Sequence, residues 1–317
     1  MLLICGAVVS CSDDDDSNGG GGGKVPSGED IGVTDRVVAI EENYGGTSVF
    51  NYTDGAMTSG TTMVDDFKFT ISYNPLKIWT GFIENDGSYE VGETYSNIRT
   101  NSFGAIVSAD IILHEKDMYG DYENTATFTA EYDDNNRIQK YKATTASGGY
   151  GNYSYETNTT INFTWNGNNL TEMNMLSEYR ESDGGHVDEW SSSEGVIFVY
   201  GDGAVKNSGV YHPAFASDLD FMYYAGFLGR TTAYLPTSVI YTVDGKEVSR
   251  SDCDVEVDGQ GRVTSISDGD ETFTYYYADT YNPGSLRQAA KMDGSRKAHS
   301  GILSKIKSRM LKHRLVK

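Results

Sequence analysis

The feature that most limits what this chain can fold into is an alternation of apolar and polar residues, cut by short runs of Asp, Asn and Gly. One copy reads Phe128-Thr129-Ala130-Glu131-Tyr132, then Asp133-Asp134-Asn135-Asn136, then Arg137-Ile138-Gln139-Lys140-Tyr141. A second is Ile161-Asn162-Phe163-Thr164-Trp165, then Asn166-Gly167-Asn168-Asn169, then Leu170-Thr171-Glu172-Met173. A third is Cys253-Asp254-Val255-Glu256-Val257, then Asp258-Gly259-Gln260-Gly261, then Arg262-Val263-Thr264-Ser265-Ile266. Alternate residues of a strand face opposite ways, so each copy makes a ribbon with one apolar face. Asn and Gly accept the positive φ that tight hairpin turns demand. A partial copy, Phe67 to Tyr73, has Asn74-Pro75-Leu76 where a turn would come. Spacing between copies is irregular, which excludes a regular solenoid. The 23 Tyr suit half-buried pleated surfaces, and 36 Gly against 5 Pro suit many turns. The expectation is an all-β domain: an antiparallel meander of hairpins forming one strongly curved sheet or an incomplete barrel. One short helix is expected near residues 214–226, where Phe215, Leu219 and Met222 recur at helical spacing and would plug one end of the sheet.

The N-terminus has a different character. The apolar run Met1 to Val9 and the small Ser10 precede Cys11, with Asp13 to Asp16 and Gly19 to Gly23 directly behind. This is the layout of a bacterial lipoprotein signal, cut before a cysteine that receives acyl chains. The run falls within the roughly 7–15 residues of a signal h-region and far below the roughly 20 of a membrane-spanning helix. The Asp and Gly runs cannot belong to a packed core. Two or more acyl chains would anchor stably, each buried methylene adding about 0.8 kcal/mol. The expected organisation is a signal peptide over 1–10, a lipidated acidic and Gly-rich tether over 11–35, the β domain over 36–282 and a basic tail over 283–317.

Charge separates the tail from the body. Residues 287–317 hold ten of the 25 Lys and Arg and one of the 46 acids, leaving 15 bases against 45 acids elsewhere. An acidic body repels nucleic acid and anionic membranes. In the tail, Ile302, Leu303, Ile306, Met310, Leu311 and Leu315 recur in steps of three and four among basic residues, as in a basic amphipathic helix.

Catalytic patterns are missing. The five histidines (His114, His186, His212, His299, His313) fit no His-Glu-x-x-His spacing, and no Gly-x-Ser-x-Gly elbow occurs. Cys253, flanked by Asp252 and Asp254, is a poor nucleophile and reads as packing. Asp252, Asp254, Glu256 and Asp258 share one side of a strand and do not converge on an ion, so they read as a solvated face. No cofactor or metal is expected. Aromatic platforms for sugar rings are the remaining candidates. Trp190, in what reads as a polar loop from His186 to Glu194, stands first, with Tyr150, Tyr153 and Tyr155; Trp79 and Trp165 are further candidates.

Several stretches resemble known families. The four aspartates behind Cys11 resemble the acidic export signal of surface lipoproteins in the Bacteroides group, implying an outer-membrane lipoprotein facing outward. Phe198 to Asp202, Asn207 to Tyr211, Tyr223 to Arg230 and Tyr234 to Val239 look like a Bacteroides-type family of uncharacterised lipoproteins, a domain of unknown function described as porin-like and all-β. The hairpin Val255 to Ile266 and the strand Phe273 to Tyr277 fit its ending, so the resemblance spans roughly residues 36–282. It brings no catalytic residues and implies a shape, not a lumen. The hairpins also resemble, in geometry, the tyrosine–aspartate repeats of bacterial surface and toxin shells. Two functions follow as expectations: a non-catalytic surface binding protein for glycans, or a structural or adhesive envelope protein that binds protein partners. The partners would be the outer membrane through Cys11 and a glycan or envelope protein, with no nucleic acid.

Overall fold

The computed structural model describes residues 24–43, 46–62, 67–83, 89–118, 120–147, 153–183, 185–211, 220–269 and 271–282. Sixteen strands follow one another: β1 Val37–Glu42, β2 Thr47–Thr53, β3 Ala56–Thr61, β4 Lys68–Tyr73, β5 Leu76–Ile83, β6 Glu90–Thr100, β7 Ile106–Asp117 and β8 Gly120–Tyr132. The second half is β9 Ile138–Ser147, β10 Tyr153–Asn166, β11 Asn169–Asp183, β12 His186–Val199, β13 Ser238–Val243, β14 Lys246–Val257, β15 Val263–Asp268 and β16 Glu271–Tyr277. Each pairs antiparallel with its neighbours in sequence, and β1 pairs with β16, Ile40 opposite Tyr275, to close the barrel. The expected open curved sheet or incomplete barrel is therefore wrong. Hairpin text shows which neighbours pair but not whether first and last strands meet. Here a closing register puts Val37, Ile40, Tyr275 and Tyr277 in the core, each at most 3% exposed.

The recognised hairpins form as read, and two share one local device. In β8–β9, Asp133 Oδ1 accepts the N–H groups of Asn135 and Arg137, and Oδ2 accepts from Arg137 Nε at 2.6 Å. In β14–β15, Asp258 accepts from Gln260, Arg262 and the Arg262 guanidinium in the same way. Such side-chain acceptors replace backbone partners in the turn. Each Arg then lies over a ring, Arg137 over Trp165 at 5.7 Å and Arg262 over Tyr277 at 4.6 Å.

The barrel is filled at one end. The chain enters there through α1 Gly28–Ile31, capped by Ser27, with Ile31 fully buried. The long β12–β13 connection returns across the same end and carries α2 Asp220–Tyr224. The expected helix near 214–226 is thus five residues long in its described part, and 212–219 lie outside the described residues. Phe221 stacks on Phe69 with centroids 4.4 Å apart, Tyr224 on Phe50 at 5.2 Å, and Phe227 meets Tyr73 at 6.1 Å. Main-chain bonds lock this plug to the hairpin turns. Ile106 donates to the Phe227 carbonyl, Arg230 to that of Asn136 and Ala233 to that of Asn168. Thr231 donates to Ile31, so the stretch from Lys24 to Asp35, read from sequence as the end of the tether, is built into the plug. Asn207 uses its whole side-chain amide within the plug, donating to Val210, Thr231 and Thr232 and accepting from Gly209 and Val210. A 16-stranded porin of the usual kind keeps an aqueous channel. Here the connection fills that space at the plugged end.

The outer wall is polar. Lys68, Thr70 and Ser72 of β4, Thr125, Thr127, Thr129 and Glu131 of β8, and Arg250, Asp252, Asp254 and Glu256 of β14 face solvent. These strands do not carry the outward apolar band of a lipid-spanning barrel. Among the described residues no helix is long and apolar enough to cross a membrane.

Candidate ligand-binding face

Strands β6 to β12 run 10–15 residues, against six to eight for β1 to β5, so one wall stands above the rest at the end away from the plug. Its inward register is fixed by the core. Phe163, Met173 and Val196 face one another across β10, β11 and β12, and Phe163 and Val196 are buried. Period two carries that face upward to Thr157, Tyr179 and Trp190, then to Tyr155, Glu181 and Asp188. The rings of Tyr179 and Trp190 stack with centroids 5.3 Å apart and planes at 10°, and Trp190 stays 40% exposed. Tyr155 is half-buried. Burial raises its hydroxyl pKa, the Thr157 hydrogen bond opposes this, and Tyr179 and Glu181 raise it further. The phenol therefore stays neutral, as a donor and an apolar face.

The Lys and Arg residues of this wall share one face. In β6 to β12, Arg99, Lys116, Lys140, Lys142 and Arg180 all lie on the outward register beside acids such as Glu131, Glu178 and Glu189, while Glu93, Glu115, Glu181, Asp188 and Glu194 lie on the inward one. Glu181 sits directly opposite Asp188, an unfavourable pair of like charges. Asp188 has the exposed His186 at 3.2 Å.

A second polar locus lies at the low side of the rim. Tyr241 donates to Asp268 Oδ2 at 2.5 Å, while Asp268 is 6% exposed and its Oδ1 has no partner among the described residues. Burial raises the Asp268 pKa and outweighs the hydrogen bonds from Tyr241 and Ser251. Because its folded pKa lies above the unfolded one, the contribution of Asp268 to stability is fully present below about pH 4, the unfolded carboxylate range, and is lost as the group ionises with rising pH. Asp268→Asn, which never ionises, is expected to raise Tm at pH 7, with the gain vanishing near pH 3; thermal melts across that range check it.

Of the predicted site residues, Trp190 and Tyr155 share the inward face. Tyr153 is placed by its backbone in β10 opposite Asp183, but its side chain, like Tyr150, Cys11, His212 and the basic tail, lies outside the described residues. Trp79 packs by Gly81 and Gly92, and Trp165 donates to the Ile138 carbonyl at 2.7 Å in the plugged half, so neither shares this face. Cys253 packs against the core. Burial, then Asp268, Asp252 and Asp254, pushes its thiol up to about 12, as a packing residue requires. Tyr179 was missed, though the signal existed: folding the chain back on Gly184-Gly185 puts it opposite Trp190. Among the described residues no three His, Cys, Asp or Glu side chains are placed to hold a metal ion.

The fold has solved counterparts. A crystal structure of a porin-like protein from Bacteroides vulgatus superposes with a TM-score of 0.50 at 12% identity, covering 78% of this chain and 99% of that one. Another porin-like protein, from Bacteroides uniformis, gives a TM-score of 0.42 at 16% identity over 76% of this chain and 97% of that one. The first likeness establishes a shared porin-like β-barrel fold. No family model and no curated relative matches the chain.

Proposed function

We propose that this barrel is a non-catalytic glycan-binding protein of the outer-membrane surface, anchored by acyl chains on Cys11. The observation that carries the binding half is the Tyr179–Trp190 stack on an inward, solvent-reached face. Paired flat rings present the apolar surface that sugar C–H faces need, and Tyr155, Asp188 and Glu181 add hydrogen-bond partners for hydroxyls at its edge. The polar outer wall fits a barrel held at the membrane rather than in it. The chain enters at the plugged end, so an anchor there would point the tall wall away from the bilayer. Residues 12–23, fully extended, span at most about 40 Å. The basic tail follows Asn282 at the same end, where acidic headgroups would meet its Lys and Arg.

Retention on a polysaccharide array tests the binding half. Trp190→Ala is expected to weaken retention about tenfold or more, equivalent to about 1.4 kcal/mol, with Tm unchanged because the ring is exposed. Unchanged retention across the array would sink the reading. The anchor is read separately, from the mass of the Cys11-terminal peptide of membrane-extracted protein.

A further inference from the structure

Closing the barrel removes free sheet edges except where neighbouring strands differ in height. Among the described residues one such step is at β12. β13 reaches only Val243, opposite Glu194, and Asp244 N–H donates to the Ser193 carbonyl at 2.9 Å. Above that point β12 continues to His186, paired on its other side with β11 alone. The Ser193 carbonyl points toward β13, and so does that of Val199, which accepts from Thr237. Main-chain groups of a strand alternate sides, so the N–H and C=O of Ser191, Glu189 and Val187 point to the open side as well. No strand meets them among the described residues. Residues 186–191 are exposed, Val187 at 43% and Trp190 at 40%.

A bare edge of this length is a template for a further strand. We infer that the β12 edge from Val187 to Ser191 adds an extended basic polypeptide as a seventeenth strand. Charge selects this partner. A second copy of the chain fits less well: the two-fold register that pairs the most open groups sets Asp188 opposite Trp190 and brings no Lys or Arg to the inner face, and it sets Glu189, already paired with Arg180 at 3.3 Å, against Glu189. A strand with Lys or Arg at alternate positions does the opposite. Its cations would lie on the inner face beside Asp188 and the facing Glu181, a register on which the described residues of β6 to β12 place acids and no Lys or Arg. They would also reach the exposed ring of Trp190. The inference does not rest on sugar binding, because it uses main-chain groups that the ring stack does not.

The probe is a synthetic peptide of alternating Lys and Thr, compared with the same peptide N-methylated at every second residue. Methylation keeps the charge and removes the donors a strand needs. The unmethylated peptide is expected to bind at least tenfold more tightly, and hydrogen exchange is expected to slow at the amides of Val187, Glu189 and Ser191. Ser191→Pro deletes one open-side N–H while leaving the β11 ladder intact. It should cut peptide affinity at least tenfold and leave polysaccharide retention unchanged. Equal binding of the two peptides, protection elsewhere, or no binding would overturn the inference. So would sedimentation showing a dimer that Ser191→Pro dissolves, since a second copy would then own the edge.

Discussion

Phe69→Ala is expected to lower the unfolding free energy by about 3–5 kcal/mol, the range for truncating a large buried ring that leaves a cavity. Phe69 is 1% exposed and lies where the wall meets the plug. Its ring stacks on Phe221, tilts against Phe50 at 6.3 Å and fills the space over Gly60, where an added Cβ would lie 2.8 Å from the ring. The cavity cannot collapse easily. Phe69 sits between Gly60 and Thr80 across the ladder, and the plug above is tied by main-chain bonds to three hairpin turns. A typical domain holds about 5–15 kcal/mol in total, so the loss is a large share. Urea denaturation checks it: a lower midpoint at unchanged slope gives the free energy directly. A loss under 1 kcal/mol would mean that the plug contributes little to stability.

Gly229→Ala should be comparably harmful for a different reason. Gly229 has φ +81°, and a Cβ there would stand 2.4 Å from the Asn136 carbonyl and 2.9 Å from the Tyr132 ring. A left-handed non-Gly residue costs about 1–3 kcal/mol where the surroundings enforce it, and the backbone contact adds to that. Neither neighbour can yield cheaply. Asn136 accepts from Arg230, and the Tyr132 hydroxyl donates toward the carbonyls of Ile106 and Phe227. Loosening should therefore begin in the plug. Faster hydrogen exchange at Ile106, Arg230 and Thr231, with β10 to β12 unchanged, is the expected signature. Uniform acceleration would show instead that plug and wall unfold as one unit.

These two sites mark how far the sequence could be read. The segment Phe227-Leu228-Gly229-Arg230 was distinctive in the chain, but its task as plug was not visible, because period-two reasoning applies to strands and this segment is neither strand nor long helix. The exposure of Trp190 is legible for a local reason: a Trp in a polar stretch is a poor candidate for burial, although that stretch is strand β12 and not the expected loop. That every Lys and Arg of β6 to β12 faces outward needs the register of seven strands at once, and no single strand displays it. The buried Asp268 was hidden for a similar reason. Its sequence, Ser267-Asp268-Gly269, looks like an exposed turn, and only the overhang of Tyr241 and Ser251 encloses it.

What the sequence determined by itself was local: strands, tight turns and the alternation that gives each ribbon one apolar face, all set by neighbours a few residues apart. The tertiary structure decided closure, since β1 and β16 are joined by no turn and meet only because pairing them buries Tyr275 and Tyr277. It also decided that the apolar interior is completed by a returning connection, and that one wall outgrows its neighbours to leave an aromatic face and a free edge. Those are consequences of strand count and relative height, sums over the whole chain that no local pattern carries.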